Sequence, residues 1–384
     1  MGGFTKAGLA RLHDVLGSYV ERGEVPALVA LVSRGGHTHV EAIGTARDTV
    51  FRIASMSKPV TAVATMLLVE ECRLRLDDPV DELLPELAGR RVLRSPDAAL
   101  DDTVPARRPI TVRDLLTFTM GFGQLMAPPD AYPVLAAAGA QRVGMGPPDP
   151  DGTPAPDEWI RRLGGLPLMY QPGERWLYNT GSDVLSLLVA RAGGQPFDAF
   201  LRDRLFGPLG MPDTGFSVPA GAVDRFATGY RVQGDRLVVS DEPATGKWSR
   251  PPAFPSGAGG LVSTVDDYLA FARMLLAGGA GVLSRPAVAL VTSDQLTPAQ
   301  KAVSGFVPGY FDDRGWGFGV TVVTRRTGLA SVGQYGWDGG LGSSWRNDPA
   351  EGLVGILLTQ REWTEPAPPP VCRDFWTAAY AAVD

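Results

Sequence analysis

Histidine is scarce in this chain of 384 residues, and its three histidines, His13, His37 and His39, all lie within the first 39 positions. A hydrolase of the α/β type needs a catalytic histidine after its serine in chain order, so this chain cannot supply that triad. The sequence also contains no HExxH pair for zinc, no GxSxG turn around a serine and no GxxxxGK[ST] loop for phosphate. These absences exclude several common hydrolase and nucleotide-binding machineries.

Cysteine, positive charge and long apolar runs are also sparse. The two cysteines, Cys72 and Cys372, are too few for a disulfide framework or a cysteine zinc site. Lysine and arginine number 36 against 42 acidic residues, and this net charge of -6 argues against a nucleic-acid partner. No run of about 18 apolar residues predicts a membrane span. Residues 1–22 have no apolar segment of the kind found in secretory signals, so we expect a cytoplasmic protein without a membrane partner.

Apolar spacing predicts strands at both ends of the chain, with helices and loops between them. The predicted strands cover residues 27–33, 37–43, 317–323, 329–335, 342–347 and 353–359. The turns between the late strands are too short for crossovers, so we expect an antiparallel sheet that early and late strands share. Residues 1–75 and 253–384 would form a mixed α/β domain, and residues 76–252 a mostly helical insertion with proline-rich loops.

A spacing of 3.6 residues predicts the helices around this sheet. They cover residues 5–22, 55–73, 182–191, 268–277 and 371–382. The second of them is apolar almost all round, so it is expected to lie inside the protein. The predicted fold class is therefore α+β, with helices flanking an antiparallel sheet.

The first candidate for chemistry is the pair Ser55 and Lys58 at the start of that buried helix. Pro59 is tolerated in the first turn of a helix, so the helix must begin close to Ser55. Residues three positions apart lie on one helix face, where a desolvated lysine could take the proton of a serine nucleophile. The alternative is an ordinary helix cap at Ser55 with Lys58 in solvent.

Two further elements carry candidate residues. Tyr178 lies just before a predicted helix, where a tyrosine is usually half-buried with its hydroxyl in water. A functional tyrosine there would need a cation nearby, which Lys58 could supply. Residues 334–342 are rich in glycine, which lets a backbone approach another group closely. The alternative is a hairpin turn at Asp338-Gly339, with the neighbouring tryptophan in the core.

Together these elements resemble the serine β-lactamases and penicillin-binding-protein-like hydrolases. The similarity is strongest to the class C branch and to the family VIII carboxylesterases, and it covers most of the chain in order. The segments that carry it are FRIASMSK at 51–58, ITVRDLLTFTMG at 110–121, QPGERWLY at 171–178, SGAGGLVSTVDD at 256–267 and residues 336–349. This resemblance implies a β-lactamase/transpeptidase-like fold.

The resemblance also implies roles for individual residues. Ser55 would be the acylated nucleophile, and Lys58 would accept or relay its proton. Tyr178 would match the tyrosine of the family's Tyr-x-Asn motif and take part in proton transfer. The backbone N–H groups of Ser55 and Gly340 would form the oxyanion hole.

Two departures from the family pattern bear on substrate binding. The asparagine expected two residues after the tyrosine is Thr180, while Asn179 stands one position early. The sequence leaves open whether Asn179 replaces it in binding substrate. Trp337, Asp338 and Gly339 occupy the place of the family's Lys-Thr-Gly and are expected to line the substrate site. An indole in place of a cation suits an uncharged ester or amide.

The function expected from these features is a carboxylesterase-like serine acyl hydrolase that forms an acyl-enzyme on small uncharged esters. We expect its partner to be a small-molecule ester or amide, with no metal ion and no cofactor. The alternatives are a β-lactamase, a D-amino-acid peptidase or amidase, a biosynthetic acyltransferase, and a penicillin-binding module without turnover. The sequence leaves the natural substrate and the oligomeric state open.

Overall fold

The computed structural model describes residues 2–128 and 130–384, so Met1 and Pro129 of the predicted domains lie outside the described residues. The strands are β1 Leu28–Arg34, β2 His37–Ile43, β3 Phe51–Arg52, β4 Arg91–Leu93, β5 Thr103–Pro105, β6 Gly229–Gln233, β7 Arg236–Asp241, β8 Val262–Ser263, β9 Arg314–Trp316, β10 Thr321–Val323, β11 Tyr335–Gly339, β12 Ser343–Asp348 and β13 Leu353–Thr359. The helices are α1 Lys6–Glu21, α2 Ser57–Glu70, α3 Val112–Leu116, α4 Pro133–Ala140, α5 Pro156–Gly164, α6 Thr180–Gly193, α7 Phe197–Leu201, α8 Gly207–Leu209, α9 Val265–Leu276, α10 Arg285–Val291, α11 Pro298–Ala302 and α12 Pro370–Ala381.

The largest sheet among the described residues has seven strands in the order β2-β1-β13-β12-β11-β10-β9. Every neighbouring pair in it is antiparallel. Strand β1 pairs with β13 so that Leu28 lies opposite Thr359. The prediction that early and late strands share one antiparallel sheet is confirmed, and with it the α+β fold class.

Strand β1 is buried on both faces, because helices cover the sheet on each side. Side chains alternate along a strand, so Leu28, Ala30 and Val32 pack with helices α1 and α12. Val29 and Leu31 point the other way, into the main core that contains α2. The sheet is therefore the middle layer, and α2, which carries Lys58, packs on one side of it.

Helix α2 begins two residues later than the sequence predicted. A 3₁₀ turn covers Ala54–Met56, and α2 itself starts at Ser57, whose hydroxyl donates to the Ala54 carbonyl at 2.7 Å. Pro59 then stands in the first turn, as expected. The helix ends at Glu70, because Cys72 takes a positive φ of 58° that no helix can continue. Its nearly complete burial is confirmed.

Two of the predicted late strands are wrong in extent. Residues 317–320 are not part of a strand: 318–320 form bends, and Gly319 has a φ of 74° where a Cβ would lie 2.8 Å from the Lys58 carbonyl oxygen. The strand at 329–335 is absent except for its last residue, and β11 runs instead from Tyr335 to Gly339. The predicted turn at Asp338-Gly339 is therefore the end of a strand. Glycine-rich segments have few side chains that could show the alternating pattern of a strand. The predicted bounds of these two strands were wrong for that reason.

A short β3–β8 pair ties the segment before the site serine to the chain around residue 262. Region 76–252 holds α3 to α8 and the small β4–β5 and β6–β7 sheets. The domain boundaries at 75 and 252 stay a prediction. Across the described ranges, no helix combines the length and the apolarity that crossing a membrane requires.

Candidate active site

Ser55 and Lys58 meet at the junction of the 3₁₀ turn and α2. Lys58 Nζ lies 2.9 Å from Ser55 Oγ and 2.5 Å from the Ala258 carbonyl oxygen. The lysine side chain is completely buried, at 0% exposure. Ala54, just before the serine, has a strained φ of 45°. The alternative of a solvated Lys58 is thus wrong, and the serine hydroxyl has an amine beside it.

Tyr178 lies beside Ser55 and Lys58 and completes a cluster of three candidate side chains. Its ring centroid lies 4.4 Å from Lys58 Nζ, and its hydroxyl oxygen accepts a hydrogen bond from Trp337 Nε1 at 2.7 Å. Only 8% of Tyr178 is exposed, so the prediction of a half-buried tyrosine is wrong. Because the indole N–H is the donor, the phenol proton remains free to be donated elsewhere.

Burial sets the protonation of this cluster. Burial lowers the pKa of Lys58 to about 7, and the negative charge of Asp183 acts in the opposite direction. Burial raises the pKa of Tyr178 well above its ordinary value, although hydrogen bonds with Ser55 and Trp337 oppose that shift. Near neutral pH the site therefore offers an amine that can accept a proton and a neutral phenol that can donate one.

The end of β11 lies directly against the 3₁₀ turn. A Cβ on Gly339 would come within 2.2 Å of the Ile53 carbonyl oxygen, so only glycine allows this approach. Ser343 Oγ donates to the same carbonyl at 2.9 Å. The contact brings Gly340 and Ser55 to the lining of one cleft. Gly339 therefore has a packing role, beside its expected place at the substrate site.

Asp338 and Trp337 are neighbours on β11, but Asp338 is held by hydrogen bonds and Trp337 by aromatic packing. The Asp338 carboxylate is bound by Arg346 Nη2 at 2.6 Å and by Ser344 Oγ at 2.6 Å. Trp337 packs edge to face on Trp316 with ring centroids 4.7 Å apart, inside an aromatic cluster next to Tyr178. Both residues line the cleft. The carboxylate is occupied by protein groups, whereas the indole is engaged with Tyr178 itself.

Asn179 lies at a sharp turn between Tyr178 and α6. Its backbone has φ 84° and ψ −69°, and the Thr180 N–H bonds back to the Tyr178 carbonyl at 3.3 Å. This γ-turn conformation is strained for asparagine. The Asn179 side chain lines the cleft and donates from Nδ2 to the Gly146 carbonyl at 3.1 Å. Thr180 is fully buried and does not replace it at the cleft.

The cleft that contains these residues has a volume of about 1280 Å³. Its walls include residues 146–153 of the predicted proline-rich loop, residues 306–310 and residues 362–368. That volume exceeds the roughly 300–1,000 Å³ of common ligand sites. Within residues 2–128 and 130–384, no group of three or more histidine, cysteine or acidic side chains is arranged to hold a metal ion.

Comparison with known proteins identifies the family. The family model described as Beta-lactamase matches residues 12–370. This chain belongs to the Beta-lactamase family. The resemblance inferred from the motifs is thereby confirmed.

Two curated relatives of this Beta-lactamase family protein cover nearly all of it. An uncharacterized protein of Mycobacterium tuberculosis is 39% identical over 351 residues, which are 88% of this chain and 81% of the relative. Esterase EstB of Burkholderia gladioli is 31% identical over 388 residues, covering 91% of this chain and 90% of the relative. Family VIII esterases are thus among its homologues, as the motifs indicated.

Solved structures agree with this Beta-lactamase family fold. One described as EstCE1, a hydrolase with promiscuous acyltransferase activity, has a TM-score of 0.79 at 24% identity over 98% of both chains. Unliganded simvastatin synthase LovD from Aspergillus terreus has a TM-score of 0.78 at 21% identity, covering 99% of this chain and 98% of that one. At these identities the likeness shows the fold alone.

Sequence reasoning missed one acidic residue at the site of this Beta-lactamase family protein. Asp183, in the first turn of α6, is buried and lines the cleft. Its Oδ1 accepts from Ser256 Oγ at 2.6 Å and from the Ala258 N–H at 3.2 Å. The available signal was an aspartate, five residues after Tyr178, in a helical stretch with no other charge before Arg191.

Proposed function

We propose that the protein is a serine acyl hydrolase of the carboxylesterase type. The observation that carries the proposal is the buried Lys58 amine 2.9 Å from the Ser55 hydroxyl, in a cleft that also holds the Tyr178 phenol. A serine is a weak nucleophile until a neighbouring base takes its proton. A lysine whose pKa lies at about 7 can do so near neutral pH.

In the acylation step, Ser55 Oγ forms a bond to the ester carbonyl carbon while its proton passes to Lys58 Nζ. The carbonyl π electrons move to the oxygen, which becomes an oxyanion. We assign its stabilisation to the backbone N–H groups of Ser55 and Gly340, which line the same cleft. Such preorganised donors are commonly worth about 10²–10³-fold in rate each.

The tetrahedral adduct then collapses to the acyl-enzyme. The bond from carbon to the alcohol oxygen breaks, and that oxygen takes a proton from the Tyr178 hydroxyl. The proton held by Lys58 passes back to the tyrosine oxygen. Water then attacks the acyl carbon and gives its proton to Lys58. The new tetrahedral adduct collapses to release the acid as Ser55 Oγ is reprotonated.

An uncharged substrate suits the groups around the tyrosine. Trp337 supplies apolar area and one neutral N–H donor, and that donor is already bonded to Tyr178. The nearby Arg346 guanidinium is paired with Asp338 at 2.6 Å. A substrate carboxylate would have to compete with that pair. The relative named Esterase EstB supports the same choice.

A second candidate function is acyl transfer to an alcohol. A cleft of about 1280 Å³ has room for an acceptor beside the acyl group. A relative named monacolin J acid methylbutanoyltransferase, from Aspergillus terreus, is 26% identical over 354 residues, 87% of this chain and 82% of the relative. The first half-reaction is identical, and an alcohol oxygen takes the place of water in the second.

The test combines turnover with the mass of the intact protein. We expect p-nitrophenyl butyrate to be hydrolysed much faster than nitrocefin, and a short-lived butyryl adduct on Ser55 that is absent in Ser55→Ala. Added alcohols are expected to divert product from acid to ester if acyl transfer is the natural reaction. Faster nitrocefin turnover would favour the β-lactamase alternative, and rapid cleavage of D-amino-acid amides the amidase. A stable penicilloyl adduct without turnover would favour the binding module.

A further inference from the structure

Asp183 is a buried charged side chain that lines the cleft and to which the proposed mechanism gives no role. It is 7% exposed and sits in the first turn of α6, where the residues on either side are also buried. A carboxylate in such a position is costly unless it is compensated by hydrogen bonds or by an opposite charge. Its hydrogen bonds converge on Oδ1, which accepts from both Ser256 Oγ and the Ala258 N–H.

The Ala258 residue connects Asp183 to the proposed general base. The Ala258 N–H donates a hydrogen bond to Asp183 Oδ1 at 3.2 Å, and the Ala258 carbonyl oxygen accepts one from Lys58 Nζ at 2.5 Å. Lys58 Nζ is thus held between this carbonyl and Ser55 Oγ. The placement of the amine next to the nucleophile therefore depends on where Asp183 holds residue 258.

The segment Ser256–Ala258 is fixed on its other side as well. The Gly257 N–H donates to Ser186 Oγ of α6 at 2.8 Å, and the Gly257 carbonyl accepts from Thr61 Oγ1 of α2 at 2.9 Å. A Cβ at Gly257 would lie 2.5 Å from Ser186 Oγ, so the packing here is close. The segment is a rigid link between the two helices, and Asp183 supplies its charged anchor.

Asp183 also acts on Lys58 by its charge. Its carboxylate is the charged group that favours the protonated form of Lys58, against the effect of burial. Among the described residues, the amine also contacts the titratable phenol Tyr178, whose ring centroid lies 4.4 Å away, and the uncharged Ser55 hydroxyl. Burial in turn raises the pKa of Asp183, while Lys58 and Ser256 oppose that shift. The two groups thus titrate as a pair.

We propose that Asp183 is a positioning residue: through the Ala258 peptide it holds Lys58 beside Ser55, and its charge sets the pH range in which Ser55 is activated. This inference rests on the proposed function, because it assumes that Lys58 takes the Ser55 proton. It extends that function by naming the residue that regulates the base.

The test uses Asp183→Asn, which removes the charge and can keep both hydrogen bonds through the amide oxygen. The readout is the rate at which a fluorophosphonate labels Ser55 between pH 5 and 9, followed by intact mass, because it needs no substrate turnover. Without the negative charge, the protonated form of Lys58 is less favoured. The acid limb of the labelling profile should therefore move to lower pH by about one unit, which is about a tenfold gain at the acid end.

Two controls separate charge from geometry. Ser256→Ala deletes one hydrogen bond and keeps the carboxylate, so its labelling should slow, with an acid shift of the profile clearly smaller than that of Asp183→Asn. Asp149→Asn removes a charge that lines the same cleft but is paired with Lys247 at 2.9 Å, so whatever its labelling rate, the acid limb of its profile should stay at the wild-type pH. An acid shift in either control as large as that of Asp183→Asn overturns the proposal.

The remaining outcomes are also decisive. An acid limb in Asp183→Asn that coincides with the wild type overturns the role of Asp183 and leaves the proposed function intact. If circular dichroism shows that the asparagine variant does not fold, Asp183→Ser is measured by the same criterion. Wild-type protein whose Ser55 is not labelled at any pH contradicts the proposed function itself, and this inference with it.

Discussion

The hydrogen bond from Trp337 to Tyr178 gives the sharpest test of the proposed proton transfer. When the tyrosine proton moves to the leaving alcohol, negative charge builds on the phenol oxygen, 2.7 Å from the indole nitrogen. A hydrogen bond to a charged acceptor is roughly twice as strong as a neutral one, which is worth about 1 kcal/mol. Trp337→Phe removes the donor and keeps an aromatic ring.

When the donor is removed, kcat falls only by the extra stabilisation that this hydrogen bond gains in the transition state. A gain of about 1–2 kcal/mol on charging corresponds to roughly 5–30-fold, since about 1.4 kcal/mol is tenfold. We expect Trp337→Phe to lose kcat on p-nitrophenyl butyrate within that range. Steady-state kinetics measures it, and thermal unfolding measures the accompanying loss of stability.

The matched control is Trp316→Phe. Trp316 is buried in the same aromatic cluster, and its Nε1 has no hydrogen-bond partner among the described residues. The Trp316→Phe substitution removes the same side-chain volume as Trp337→Phe, so it should lower the melting temperature without a comparable fall in kcat. If Trp337→Phe keeps the wild-type kcat, or if both variants lose it equally, the indole N–H does not assist the proton transfer.

Three further changes test the cluster. Lys58→Arg should reduce turnover as severely as Lys58→Ala, because arginine keeps its proton near neutral pH; normal kinetics of the arginine variant would show that only the charge matters. Tyr178→Phe should lower kcat by about 10²–10⁴-fold, and near wild-type turnover would return the residue to a packing role. Gly339→Ala should destabilise the fold by about 1–3 kcal/mol, because its Cβ meets the Ile53 carbonyl at 2.2 Å. Gly328→Ala, with nothing within 4 Å, should melt like the wild type, and equal melting of both variants would contradict the steric reasoning.

Local spacing made part of the site predictable. Ser55 and Lys58 are three residues apart at a helix start, so their proximity follows from helix geometry without knowledge of the rest of the fold. The apolar sequence of α2 likewise predicts its burial. The prediction of one shared sheet followed because the strands near the start of the chain must pair with other strands, and the remaining predicted strands lie near its end.

Contacts between distant segments were not predictable. The bond from Trp337 to Tyr178 joins residues 159 positions apart, and that from Ser256 to Asp183 joins residues 73 apart. No periodicity encodes such pairs, because they depend on how helices and sheet pack. From the sequence we interpreted Trp337 as an uncharged residue in the place of a cation. In the structure its indole N–H donates a hydrogen bond to the Tyr178 hydroxyl oxygen.

The pairing of β1 with β13 also constrains how the protein can be made. Leu28 pairs with Thr359, about 330 residues later in the chain. The middle of the sheet therefore cannot form until almost the whole chain has left the ribosome. Such distant pairings favour slow folding and expose apolar strands meanwhile. The apolar helix α2 packs against this same sheet. During synthesis the proposed site should therefore stay unassembled until the last strand has paired, so that chains terminated early are expected to lack the proposed activity.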